Sequence, residues 1–126
     1  VLCYDAAFTT GSNGANPTVN QDTLETLART LASRVDADPS TSYTAKLLHE
    51  APDGILKKIA EEAGETIIAG KGGSDGELVH EIADLWYHTL VLLVSRGLSP
   101  GDVLAELERR SGTSGHAEKA ARKTAG

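Results

Sequence analysis

Among its 126 residues the chain has no methionine, one cysteine, one phenylalanine and one tryptophan. The lone Cys3 excludes an internal disulfide and fits a reducing, cytoplasmic setting. With no methionine even at residue 1, the sequence leaves open that it begins inside a longer product. Cationic residues are in deficit, with 12 Lys and Arg against 18 Asp and Glu and a net charge of −6. Nucleic-acid binding needs a basic face, so nucleic acid is excluded as a general partner. One small anion held by a few local cations is not. No stretch reaches the roughly 20 apolar residues that span a bilayer. The longest apolar zone, Leu85 to Val94, is interrupted by Tyr87, His88 and Thr89. Val1 to Phe8 lacks the basic start of a secretory signal. Neither G-x-x-x-x-G-K-[ST] nor G-x-G-x-x-G occurs, so phosphate binding through those glycine loops is not indicated. No alternating β-branched run is bounded by hairpin turns, so no strand is predicted.

What is present is ordinary globular material, 40% apolar and 24% charged, enough for one modest core. Residues 1–20, with the run Thr9 to Pro17, carry turn chemistry and nothing periodic to bury, and read as a flexible N-terminal arm. Residues 21–126 read as a single all-α domain. The first predicted helix starts near Asp22, which has capping-box spacing to Glu25. Leu24, Leu27, Ala28, Leu31 and Val35 then form one stripe, ending at Asp38-Pro39-Ser40. Ser42 to Glu50 is a short helix or ordered loop. A second long helix is expected from Pro52 to Ala69, with Ile55, Ile59, Ala63 and Ile67 inward and Gly70, Gly72 and Gly73 ending it. Ser74 and Glu77 form an S-x-x-E box that opens a third helix reaching Arg96, with Gly97 at its end. Ser99-Pro100 opens a fourth, to Arg110, whose apolar side is Val103, Leu104 and Leu107. A Gly-rich turn at 112–115 leads to a short basic segment. Four helices on short connections predict an antiparallel bundle. The third is apolar on nearly every face around Leu85 to Val94, which predicts burial against another subunit, in a homodimer or higher homo-oligomer.

The chemistry concentrates in Glu61-Glu62-Ala63-Gly64-Glu65 and Glu81-Ile82-Ala83-Asp84. At about 100° per residue, Glu62 and Glu65 lie roughly 60° apart on one helix, and Glu81 and Asp84 repeat that relation on the next. Antiparallel packing lets the two pairs face each other. Clustered carboxylates oppose one another's ionisation, and a divalent cation resolves the conflict. All-oxygen donors suit Mg²⁺ or Mn²⁺ rather than zinc. The competing reading, solvated surface acids, is weakened by apolar flanks (Ile59, Ile67, Ile82, Leu85) and by small residues inside both motifs. Lys57 and Lys58 precede the glutamates by one turn. Pairing with Glu61 and Glu62 and contact with phosphate explain them equally well. His88 is either a packed core histidine or a group that touches substrate or orients a carboxylate. His49, His80 and His116 show no metal-ligand spacing and read as surface residues. Trp86 and Tyr87 read as core or subunit contacts.

These residues resemble the phosphoribosyl-ATP pyrophosphohydrolase family, within the MazG-type all-α nucleotide pyrophosphohydrolases. The likeness spans about residues 22–123. It rests on Ser42-Tyr43-Thr44-Ala45-Lys46-Leu47, Ile55-Leu56-Lys57-Lys58 with the following glutamates, Glu81 to His88, and the late Ser114-Gly115 with Glu118-Lys119-Ala120. The resemblance implies Mg²⁺ ligation by Glu62, Glu65, Glu81 and Asp84, with Glu61 as a further ligand or water-orienting base. It assigns Tyr43, Lys46, Lys119, Arg122 and Lys123 to substrate recognition. The implied reaction cleaves the α–β phosphoanhydride of phosphoribosyl-ATP, a step of histidine biosynthesis. The arm 1–20 has no counterpart in it; fusion behind a cyclohydrolase domain, which occurs in the family, is one origin for such a segment. Gly64 is an unfavourable helix-interior residue that close packing would explain. The nearest alternative is a MazG-type enzyme acting on free (deoxy)nucleoside triphosphates. A ferritin-like di-metal protein needs Glu-x-x-His motifs from two helices, whereas His88 follows Asp84 at i+4 and two such motifs are not present; a non-catalytic helical scaffold is the last rival.

Overall fold

The computed structural model describes residues 22–111 and 115–125. The expected arm at 1–20 lies outside the described residues, as does most of the 112–115 turn. Six helices follow in order: α1 Thr23–Ala32, α2 Tyr43–His49, α3 Asp53–Gly72, α4 Asp75–Ser95, α5 Pro100–Arg110 and α6 Gly115–Thr124. No strand occurs among the described residues, and no described helix is long and apolar enough to cross a membrane.

Local chemistry explains most of the boundaries. Ser42 Oγ accepts from Ala45 N–H at 3.1 Å and starts α2. In the box that opens α4, Ser74 Oγ accepts from Glu77 N–H at 3.2 Å while Ser74 N–H donates to Glu77 Oε2 at 2.7 Å. Asp102 plays the glutamate's part for α5, accepting from Ser99 N–H at 2.9 Å. Gly97, at φ 71°, closes α4 in a Schellman arrangement: Leu98 N–H reaches Leu93 O and Gly97 N–H reaches Val94 O.

Three boundary expectations need correction. Asp22 adopts helical angles and makes no side-chain cap hydrogen bond, so the Asp22/Glu25 box does not form. Helix α1 stops at Ala32 instead of running to Asp38, because Ser33 Oγ takes the Thr30 carbonyl at 2.6 Å and the chain tightens into three-residue bonds. Val35, past that stop, is exposed. Helix α3 continues through Gly70 and Gly72 and ends only at Gly73, since neither glycine needs an unusual backbone angle to stay helical.

The two longest helices, α3 and α4, are joined by Gly73 and Ser74 and pack against each other along an antiparallel hairpin, the most extensive contact of the fold. Helices α1 and α2 close over it, with α5 against α1. Leu31, Leu47, Ile55, Tyr87, Leu90 and Val91 form the core. Ile55 and Val91 are fully buried there, each gaining about 2 kcal/mol from burial. Ile67, expected inward, is 72% exposed. It lies near the hairpin tip, beyond the reach of α1 and α2.

Candidate metal centre and active site

The hairpin geometry brings the two acidic pairs together. Glu62 and Glu65, one turn apart on α3, meet Glu81 on α4, with one carboxylate oxygen from each lying within 4.8 Å of the others. Glu81 also belongs to a second group, with His80 and Asp84, that meets the same limit. Glu62 and Asp84 are the inner members, 5% and 4% exposed, while Glu65 stands at the open rim. Buried Glu62 Oε2 and Glu81 Oε2 accept no hydrogen bond from the described residues. Burial pushes the Glu62 carboxyl up to about 7, and Glu65, then Asp84 and Glu81, add to the rise. Burial and the neighbouring Glu65 raise Glu81 as well, with His80 opposing. A cluster that resists its own ionisation and leaves two buried oxygens without donors is a fit for a hard divalent cation.

Beside the carboxylates lies a second layer. His88 is fully buried; its Nδ1 is 2.8 Å from the Asp84 carbonyl oxygen and its Nε2 is 2.8 Å from the Tyr43 hydroxyl. Tyr87 packs edge-on to His88 and shares a hydrogen bond with Thr44, so α2 is pinned to α4 at two successive residues. Lys58 Nζ sits 3.1 Å from Glu61 Oε2, and its charge helps keep the His88 imidazole low, although burial is the larger cause.

A sequence model of the family described as phosphoribosyl-ATP pyrophosphohydrolase matches residues 24–111, which hold all of these groups. The chain belongs to this family. It is similar to a protein named phosphoribosyl-ATP pyrophosphatase from Trichlorobacter lovleyi, 57% identical over 104 residues, covering 82% of this chain and 96% of the relative. A protein of the same name from Variovorax paradoxus is 54% identical, covering 84% and 90%. One from Chromobacterium violaceum is also 54% identical, covering 81% and 94%.

Against this phosphoribosyl-ATP pyrophosphohydrolase background, the expected residues divide into three sets. Glu62, Glu65, Glu81 and Asp84 lie near the middle of the α3–α4 hairpin, with Tyr43 and His88 adjoining. Lys57 and Glu61 are exposed and Lys58 is half-buried on α3; Glu61 is in neither carboxylate group and pairs with Lys58 at i,i+3, close enough to His88 for both charges to act on it. Lys46, Lys119 and Arg122 are exposed, and α6, which carries the last two, is not among the helices packed extensively on α3 and α4.

His80 is exposed, as expected of a surface residue, yet its spacing was misjudged. It stands one turn before Asp84, with Nε2 3.4 Å from Asp84 Oδ2. The i,i+4 offset in His80-Glu81-Ile82-Ala83-Asp84 was the available signal. Tyr87 and Thr44 were also missed as a polar pair, since a contact across 43 residues has no local signature.

Proposed function

We propose that the chain hydrolyses the α–β phosphoanhydride of phosphoribosyl-ATP, releasing phosphoribosyl-AMP and pyrophosphate, with Mg²⁺ or Mn²⁺ held by Glu62, Glu65, Glu81 and Asp84. The relatives' names supply the substrate. The observation that carries the chemistry is a pair of buried carboxylates, Glu62 and Asp84, on facing helices among acids with donor-less oxygens. Clustered carboxylates of this kind call for a counter-charge, which a divalent cation would supply.

Bound there, the ion supplies neutralisation of phosphate charge as the pyrophosphate leaves. The chain's own groups do the rest. Lys57 and Lys58, one turn before the glutamates, add positive charge toward the phosphates. Glu61 lies outside both ligand groups, paired with Lys58 at 3.1 Å, and is the carboxylate that would orient and deprotonate the attacking water. Tyr43, held by His88, and Lys46 on the same face of α2's first turn take the nucleotide's remaining polar groups.

Pyrophosphate release from phosphoribosyl-ATP, with Mg²⁺ and with EDTA, tests this reading. Release that needs the metal and falls at least about 100-fold in Glu62→Gln or Asp84→Asn supports it, a loss of several kcal/mol of transition-state stabilisation. Turnover of a dNTP panel with phosphoribosyl-ATP inert points instead to the triphosphate pyrophosphatases.

The assembly we assign is a homodimer or higher homo-oligomer. Leu24, Trp86, Val103, Leu104 and Leu107 line an apolar groove of about 590 Å³ between α1, α4 and α5. Trp86 is 56% exposed there. A sedimentation mass of one chain contradicts this assignment.

A further inference from the structure

Donor atoms of His80, Glu81 and Asp84 lie within 4.8 Å of one another. The cause is helical: residues i and i+4 share a face of α4, so His80 and Asp84 stack one turn apart and Glu81 reaches the same point from beside them. It is the offset by which H-E-x-x-H presents two ligands from one helix. An ordinary surface ion pair between His80 and Asp84 accounts for their 3.4 Å separation alone. Two further observations exceed it. Asp84 is 4% exposed while the His80 side chain is 57% exposed, so the pair runs from the buried acids to the open rim. From the opposite helix, Glu62, 5% exposed and with its Oε2 lacking a hydrogen-bond partner among the described residues, places a carboxylate oxygen within 4.8 Å of one on the Glu81 that both donor groups share.

The geometry points to His80 as a nitrogen ligand of the divalent-ion centre, one that raises its affinity for borderline transition ions above that of a carboxylate-only centre. This rests on the carboxylates holding a divalent cation, as proposed above. Mg²⁺ takes oxygen donors and gains little from an imidazole, whereas Co²⁺, Ni²⁺ and Zn²⁺ are well matched to one. His80 therefore separates two classes of ion at one site.

Calorimetric titration of the metal-stripped protein with MgCl₂ or CoCl₂, at one fixed pH near neutrality, tests this. Parallel visible spectra of the Co²⁺ form give a readout independent of turnover. His80→Gln, with its fold checked by circular dichroism, is expected to weaken Co²⁺ binding on the order of 10- to 100-fold. It should also change the Co²⁺ absorption bands and leave Mg²⁺ affinity as in the parent. Equal Co²⁺ affinity and spectra in the two proteins, with Mg²⁺ still bound, overturn the role of His80 alone. A parent protein that binds neither ion overturns the carboxylate centre and His80 with it. In Glu62→Gln, which removes an oxygen ligand, both ions weaken together.

Discussion

The Tyr43 hydroxyl lies 2.8 Å from His88 Nε2, and that contact fixes the protonation of both groups. The other ring nitrogen, Nδ1, is 2.8 Å from the Asp84 carbonyl oxygen, which can only accept, so Nδ1 carries the hydrogen. Nε2 is then a lone pair, and the tyrosine donates to it. Burial agrees on both sides, holding the imidazole below its usual range and pushing the phenol up to about 12. Tyr43 thus meets the site with its proton already committed, and His88 ties α2 to the backbone of Asp84, one of the proposed metal ligands.

Breaking this link has a graded cost. His88→Ala empties a fully buried position and orphans both partners, for about 3 kcal/mol. Tyr43→Phe removes one hydrogen bond, for about 1 kcal/mol. Because the losses share an interaction, the double variant is less destabilised than the sum of the two. Urea unfolding of all four proteins measures this, and strict additivity counts against the coupling.

Without metal, stability should fall as pH rises through the titration of Glu62. The folded pKa of Glu62, about 7, lies above its ordinary value of 4.5. The unfolded chain therefore releases this proton more readily than the folded one. Stability from this group is complete below about pH 4.5 and is lost as pH rises through about 7. In EDTA the melting temperature should fall across that window; with Mg²⁺ the fall should be offset, since binding favours the ionised folded site. Glu62→Gln should flatten the EDTA profile. A profile identical in Glu62→Gln and the parent rules out this origin.

Local rules made part of this molecule readable from its residues. The Ser74/Glu77 box and the Gly97 stop depend on atoms a few positions apart, and both formed where expected. The carboxylate convergence was legible because Gly73 and Ser74 leave two long helices no choice but to fold back on each other. Periodicity says which residues share a face, not whether a neighbour covers it, which is why Ile67 was misplaced; Val35 was misplaced because α1 stops three residues before it. Tyr43 and His88 were singled out, but their mutual bond spans 45 positions and emerges only from the fold.

The exposed apolar face makes a prediction about assembly. Trp86 and Leu104 line the same groove and are both more than half exposed in one chain. If a second copy covers them, Leu104→Glu places a charge in a dry contact and shifts the sedimentation mass toward a single chain. The tryptophan emission of the parent should then be blue-shifted relative to the variant. An unchanged mass in Leu104→Glu moves the interface elsewhere.

Gly64 separates two explanations for a glycine inside α3. Close helix approach was the expectation, yet a Cβ built at Gly64 meets nothing within 4 Å in the described chain. Its backbone angle is not left-handed, so alanine fits without strain. Within one chain, then, the glycine only costs helix propensity, and Gly64→Ala should stabilise the protein by about 1 kcal/mol. For a domain of this size that is a rise of about 3–6 °C in melting temperature, measurable by circular dichroism. A fall instead means that an added methyl group collides with something outside the chain. Since Gly64 sits between Glu62 and Glu65, that neighbour would have to pack beside the proposed metal ligands, and α3 would then belong to a subunit contact.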